Sequence, residues 1–408
     1  MTFARHMSVL ATAILVIAAG DARAQAPEPP VVARDARLGG DGLRTRLVID
    51  LDRTVPVRAF TLADPYRVII DLPDVSFQLP PGKGTQGRGL ISAFRYGLFA
   101  PGKARIVVDA TGPVAVDKAF VLDPIDDQPA RLVLDLVKSD RKSFLRAVSA
   151  RESERRAAAV PAQPPVPRAP TDDTPVIVID PGHGGIDPGA SGSGTTEKDL
   201  VLAFAQRLGE KLSAGGRYRV VMTRSSDTFV SLRDRVEIAR ENAAALFVSV
   251  HADTLGDDPF GVRGATVYTL SETASDEQAA RLAEKENRAD VIAGIDLTDE
   301  PEEVAGILID LARRETKTFA MQFARTLVGE LRTSLRLNKN PVRSAGFRVL
   351  RAPDVPSVLL ELGYLSSPED VKLMTSEAWR DRATGSVAQA IDGFFKLRVA
   401  GTPVPKLN

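Results

Sequence analysis

The sequence predicts an all-β sandwich followed by an α/β domain whose largely parallel sheet is flanked by helices. Three observations carry this. Residues 31–139 repeat one strand pattern four times. Residues 175–396 alternate short apolar strands with helical stripes, the pattern of a layered α/β domain. Residues 140–173, between them, change from charged to Pro/Ala-rich, the composition of an extended linker.

Length and composition set the outer limits. A chain of 408 residues has room for two or three domains. Its hydrophobic (44%) and charged (26%) fractions suit soluble globular protein. The formal net charge of zero argues against nucleic acid or an anionic membrane surface as main partner.

At the N-terminus, Arg5 precedes the apolar run Val9 to Ala19 and then Ala22-Arg23-Ala24, a small-residue cleavage signal. The run is too short to span a bilayer, and the polar Gln25–Pro30 follows at once. Residues 1–24 therefore read as a signal peptide. The expected mature chain starts near Gln25 and is exported, and is not an integral membrane protein.

The first block contains Arg46-Leu-Val-Ile-Asp50, Arg67-Val-Ile-Ile-Asp71, Arg105-Ile-Val-Val-Asp109 and Arg131-Leu-Val-Leu-Asp135. Ala59-Phe60 to Pro65 lies between the first two and Ala119-Phe120 to Pro124 between the last two. A duplicated strand–turn–strand unit with β-branched runs predicts the sandwich. It holds no histidine, so a targeting or binding module is the simplest role.

In the second block, Val176–Asp180 reads as a strand. Glu197–Leu212 reads as a helix through the stripe Leu200, Val201, Phe204, Ala205, Leu208, Leu212. Tyr218–Thr223 is a strand. Ser231 caps a helix running to about Ala244. Leu246–Val250, Ala265–Leu270 and Val358–Leu362 are further strands, and a later helix covers about Thr316–Arg332.

In such sheets, sites lie at the carboxyl ends of strands. The two histidines beyond the leader fall there: His183 in Asp180-Pro-Gly-His-Gly-Gly185, and His251 closing Leu246-Phe-Val-Ser-Val-His251. With no cysteine in the chain, a metal site must use imidazole and carboxylate, the ligand set of catalytic zinc. Glu197 opens the next helix, where a plain N-terminal capping role competes with ligation. Asp180 and Asp253 stand where supporting carboxylates would, Asp180 either accepting the histidine's second ring proton or bracing the loop. Glu361 interrupts a buried strand, and an unpartnered buried carboxylate costs several kcal/mol. An apolar setting also raises its pKa, as a general base near neutral pH requires. Two imidazoles and a carboxylate on zinc, with a free glutamate taking a proton from water, point to hydrolysis of an amide bond. The HExxH pattern is absent.

These motifs carry a resemblance. Val178 to Gly185, Glu197, Thr223-Arg224, Val248-Ser-Val-His-Ala-Asp253 and Leu360-Glu-Leu-Gly-Tyr-Leu365 resemble the catalytic domain of zinc-dependent N-acetylmuramoyl-L-alanine amidases of the AmiA/AmiB/AmiC type, over residues 175–396. The resemblance implies a mixed sheet flanked by helices, one zinc ion held by His183, Glu197 and His251, and Glu361 as catalytic glutamate. The bond cut would be the amide between N-acetylmuramic acid and L-alanine in peptidoglycan. Residues 31–139 resemble the AMIN domain of the AmiB/AmiC branch, which implies a peptidoglycan-binding sandwich, a periplasmic location and a role at the septum.

Residues 271–315 are long for a connection. Ala279 to Ile292 reads as one amphipathic helix and Glu303–Ala312 as another. In the AmiB-like branch an insert here blocks the zinc until an activator, an envelope protein with a LytM-type domain, binds. Glu286 is the first candidate for the blocking carboxylate and Glu284 the second, on different helix faces. Two rival readings remain: a catalytically inactive wall-binding protein, against which all four site residues stand, and a zinc endopeptidase of the stem peptide.

Overall fold

The structure, a computed structural model, describes residues 29–158, 174–192, 194–254, 263–295 and 307–399. The leader expected at 1–24 and the Pro-rich part of the linker lie outside the described residues.

The first domain is a sandwich of nine strands: β1 (Val31–Gly40), β2 (Arg44–Leu51), β3 (Arg58–Leu62), β4 (Arg67–Pro73), β5 (Val75–Phe77), β6 (Ile91–Ala100), β7 (Lys103–Ala110), β8 (Val114–Leu122) and β9 (Ala130–Lys138). One sheet runs β5-β1-β2-β9-β8 and the other β3-β4-β7-β6. Leu47, Ile49, Leu132 and Leu134 of the first sheet meet Val68, Ile70, Ile106 and Val108 of the second in one core.

The repeated strands pair across the duplication, not within each unit as the strand–turn–strand reading implies. β2 lies antiparallel to β9, with Arg46 opposite Asp135 and Asp50 opposite Arg131. β4 lies antiparallel to β7, with Arg67 opposite Asp109 and Asp71 opposite Arg105. A basic residue and an acidic one four positions later share a strand face, so two antiparallel copies set each arginine against an aspartate. Each repeat thereby gives one strand to each sheet.

The expected linker begins as a helix, α1 (Arg141–Ala158). Asp140 accepts the Ser143 backbone N–H at its start. Phe144 is buried edge-on against Tyr66, with centroids 5.1 Å apart. That apolar anchor outweighs the charged composition that reads as linker.

The second domain contains β10 (Val176–Pro181), a small ribbon β11 (Ser191–Gly192) with β12 (Thr195–Thr196), α2 (Glu197–Ala214), β13 (Arg219–Met222), α3 (Leu232–Glu241), β14 (Leu246–His251), β15 (Ala265–Leu270), α4 (Glu277–Glu286), α5 (Ala289–Ile292), α6 (Ile307–Leu331), β16 (Leu337–Ala345), β17 (Ser357–Glu361), α7 (Pro368–Met374) and α8 (Glu377–Val399). The sheet order is β13-β10-β14-β17-β15-β16. Only β15 against β17 is antiparallel within it, so the sheet is mixed and largely parallel. Phe204, Phe323, Trp379 and Phe394 of α2, α6 and α8 cover one face. Leu232 and Ala239 of α3 and Ala279 and Leu282 of α4 belong to the core on the other.

Among the elements not legible in the sequence pattern are β16, α7 and α8. β16 is polar and contains Pro341, which reads as a break but is tolerated on an edge strand. The helix expected over 279–292 is broken after Glu286 into α4 and α5. Of the helix expected at 303–312, residues 303–306 lie outside the described residues and the rest is the start of α6. Among the described residues, no helix is long and apolar enough to cross a membrane.

Candidate metal centre

Parallel pairing sets the carboxyl ends of β10, β14 and β17 side by side, and each delivers one chemical group. His183 follows β10, while His251 and Glu361 end β14 and β17 as register partners. His183 sits at φ 57°, in the left-handed region that costs a side-chain-bearing residue energy. Two glycines make room around the rings. A Cβ on Gly182 would meet His251 Cε1 at 2.4 Å, and one on Gly189 would meet Glu197 Oε2 and His183 Cδ2 at 2.7 Å.

Two buried arginines hold the strained loop. Arg235 donates to the backbone oxygens of Pro181 and His183, both at 2.8 Å. Arg224 donates to those of Pro181 at 3.0 Å and Gly182 at 2.7 Å. Asp180 supplies the counter-charge, accepting from Arg235 and Thr223 at 2.6 Å and from Ser249 at 2.7 Å. Of the two roles open to Asp180, the structure places it in the second, bracing the loop. The carboxylate on the histidine is Asp187, 2.8 Å from His183 Nδ1. Sequence reasoning missed Asp187, although a second aspartate in the same Gly-rich loop was the available signal. Asp253 does not touch a histidine either. It pairs with Lys285, and its backbone N–H donates to Glu361 Oε2 at 3.1 Å.

With Asp187 on Nδ1, the Nε2 atom of His183 faces the centre, 3.2 Å from Glu197 Oε1 and 3.3 Å from Glu286 Oε2. His251 Nδ1 lies 3.1 Å from the same Glu197 oxygen and 3.2 Å from the same Glu286 oxygen. Glu197 is fixed by the backbone N–H groups of Ala190 and Ala252, each 2.9 Å from one of its oxygens. Ligand atoms of His183, His251 and Glu286 all fall within 4.8 Å of one another. Glu286, the last residue of α4, is thus brought into the centre and buried. Glu284 points to solvent and pairs with Arg288, so the structure does not bring it to the site.

The electrostatics are those of a site built for a cation. Asp187, Glu197, Asp253, Glu286 and Glu361 are all buried around the two imidazoles. Burial disfavours a charged His183, but Glu197, Asp187 and Glu286 outweigh it and hold its pKa well above the ordinary value. Burial likewise works against an ionised Glu197, yet His183 and His251 keep it well below the carboxylate range. Burial pushes Glu286 up to about 7, and raises Glu361 well above the usual range, with Glu197 adding to the effect. His183 Nε2, Glu286 Oε1 and Glu361 Oε1 are buried and have no hydrogen-bond partner among the described residues. Imidazole and carboxylate atoms that converge at about 3 Å, with a ring nitrogen left unpartnered among them and excess carboxylate around them, fit a divalent metal.

Comparison with known proteins gives matches over both domains. The family described as N-acetylmuramoyl-L-alanine amidase matches residues 177–393, and the AMIN domain matches residues 35–136. The chain is similar to N-acetylmuramoyl-L-alanine amidase AmiC of Escherichia coli O6:H1, at 31% identity over 364 residues, 86% of each chain. It is 32% identical over 379 residues to AmiC of Neisseria meningitidis, covering 89% of this chain and 90% of that one. Among solved structures, AmiC2 of Nostoc punctiforme aligns with 55% of this chain and 98% of its own, at 27% identity and a TM-score of 0.39.

Proposed function

Since this chain belongs to the N-acetylmuramoyl-L-alanine amidase family and is a peptidoglycan amidase, we propose that its hydrolysis is zinc-dependent and that the insert holds it inactive. The observation that supports this best is the convergence of His183 Nε2, His251 Nδ1 and Glu197 Oε1 at about 3 Å, with Glu286 Oε2 in the same place.

His183, His251 and Glu197 would hold one zinc ion. Bound there, zinc supplies a Lewis acid and makes water acidic enough to attack near neutral pH. Glu361 takes the proton of the attacking water at its unpartnered Oε1 and delivers it to the departing nitrogen of L-alanine. The C–N bond breaks, the lactyl side keeps a carboxylate and the stem peptide leaves with a free amine. Asp187 holds His183 so that Nε2 is the atom offered to the metal.

Glu286 competes for the position the reacting carbonyl and water need. While α4 lies over the centre, that molecule is off, and the parent rate is that of the small open fraction. Release then requires a partner that binds the open state better than the closed one, and an envelope protein with a LytM-type domain is the activator this reading assigns. The sandwich binds peptidoglycan and keeps the enzyme at the wall, in the periplasm and at the division septum, where it serves wall remodelling and daughter-cell separation.

The test is digestion of purified sacculi by the metal-loaded protein, with and without chelator. Stem peptides carrying a free L-alanine amine, released only with metal, are expected. Cuts within the stem peptide would replace the amidase reading by an endopeptidase, and no cuts even for a Glu286→Ala variant would leave only a wall-binding protein.

A further inference from the structure

Three arginines of the sandwich make contacts that wall binding does not account for. Arg67, Arg95 and Arg105 lie on the outer face of the β4-β7-β6 sheet, and they reach the insert. Arg67 donates to the Val291 carbonyl. Arg95 donates to Ile292 O at 2.7 Å, and Arg105 to Ala293 O at 3.2 Å and Gly294 O at 3.1 Å. These are four consecutive carbonyls at and just beyond the C-terminus of α5, where a helix turns carbonyls outward. Guanidinium donors make the strong, charge-assisted kind of bond to them. The guanidiniums are themselves held, Arg105 by Asp71 at 2.6 Å and across the Phe99 ring, and Arg95 by Asp109 at 2.5 Å.

The same face also grips the loop that follows His183. Ile69 and Val107 stand between the arginines and share an apolar cluster with Ala293, Ile186 and Phe229. The Leu98 carbonyl accepts from Ile186 N and Phe229 N, each at 3.3 Å. Ile186 lies next to Asp187, the partner of His183. One sheet face therefore holds both the metal loop and the end of the segment that carries Glu286.

We propose that the sandwich is the clasp of the closed state: its Arg67–Arg95–Arg105 face holds 291–294 beside the metal loop and so keeps Glu286 in the centre. This rests on the reading that Glu286 closes the site. The catalytic domain supplies its own ties, from Lys285 to Asp253, from Asn287 to Gly346 and Arg348, and from Asp290 to the Leu232 N–H. The clasp adds the tie that couples this opening to the sandwich. Whatever pulls the sandwich from the catalytic domain favours the open site.

The duplication supplies a matched control. On the other sheet, Arg46 pairs with Asp135 at 2.6 Å and Arg37 with Asp50 at 2.6 Å, the same cross-strand chemistry, with about half of each arginine side chain exposed. The experiment measures cleavage of a soluble muramyl-peptide fragment by the full chain, so that wall affinity plays no part. Five proteins are compared with the parent: the triple Arg67→Met/Arg95→Met/Arg105→Met, Gly294→Leu, the control pair Arg37→Met/Arg46→Met, Glu286→Ala, and Glu286→Ala carrying the triple change. Gly294→Leu changes no residue of the sandwich, yet a Cβ there would fall 2.4 Å from Ile69 Cδ1 and 3.1 Å from Val107 Cγ2. Coupling of ordinary size predicts a rise of at least about fivefold for the triple variant and for Gly294→Leu. The control pair should stay at the parent rate, and adding the triple change to Glu286→Ala should bring nothing further. Amide exchange over 277–295 should quicken in both clasp variants. Activation by Glu286→Ala alone, with parent rates and unchanged exchange in both clasp variants, would overturn the clasp and leave the Glu286 lock standing. Parent rates throughout would overturn both.

Discussion

His251 and Glu361 are register partners at the carboxyl ends of two adjacent parallel strands, β14 and β17. The pairing puts a ring nitrogen and an unpartnered carboxylate oxygen at one edge of the sheet, yet their surroundings differ. His251 Nδ1 faces Glu197 and Glu286, whereas among the described residues Glu361 is held by the Asp253 N–H and its Oε1 has no hydrogen-bond partner. On the reading proposed above, these different partners separate a ligand from a base.

Glu361→Gln should therefore keep its metal and lose turnover by about 10²–10⁴, the usual worth of a general base. Metal content and cleavage rate measured on one preparation decide it. Near-parent turnover would remove Glu361 from the reaction.

His183→Ala and His251→Ala should lose metal and activity together. A chelator should inactivate the parent, and zinc should restore it but restore neither variant. Recovery of either variant at stoichiometric zinc would mean that the imidazole is not a ligand.

Asp187→Asn keeps the shape but weakens the hold on His183 Nδ1, 2.8 Å away. Metal affinity should fall about 10–100-fold, as for other carboxylates behind a ligating histidine. Asp180→Asn should leave metal affinity far less changed, because Asp180 touches Arg235, Thr223 and Ser249 and neither histidine. A competition titration with a chromophoric chelator ranks the two.

Asp180→Asn should instead cost stability, about 3–5 kcal/mol for an unpaired buried arginine. Burial pushes Asp180 up, but Arg235, Thr223 and Ser249 outweigh it and leave its pKa below the ordinary value. A lowered folded pKa means that its contribution is complete above the unfolded value, about 4. It is lost as the pH falls through the lower folded value. Chemical denaturation at pH 7 should show the loss in the variant, and the gap between parent and variant should narrow only at strongly acidic pH. A gap already closed at pH 6 would contradict the assignment.

Glu286→Ala should raise the cleavage of labelled sacculi at least about fivefold, whereas Glu284→Ala should leave it at the parent rate. Glu284 is exposed and pairs with Arg288, and surface pairs of this kind contribute little. Equal rates for both variants would assign the insert an ordinary surface role.

The four residues read as zinc ligands and base stood out in the sequence because their signals are local. His183 and His251 follow apolar runs, Glu197 opens an amphipathic stripe and Glu361 breaks a buried strand, and each signal fits within a single element. The duplication in the sandwich was equally plain, since it is written in one repeated motif. Tertiary structure alone decided who touches whom. It set the repeats pairing across the duplication, gave the second nitrogen of His183 to Asp187 and not Asp180, turned Glu286 inward and Glu284 out, and joined Arg95 to a carbonyl 197 residues away. Local pattern reports which face of a strand or helix is apolar. Which neighbour then covers that face depends on how the whole chain closes, and that information is spread over contacts no window of sequence contains.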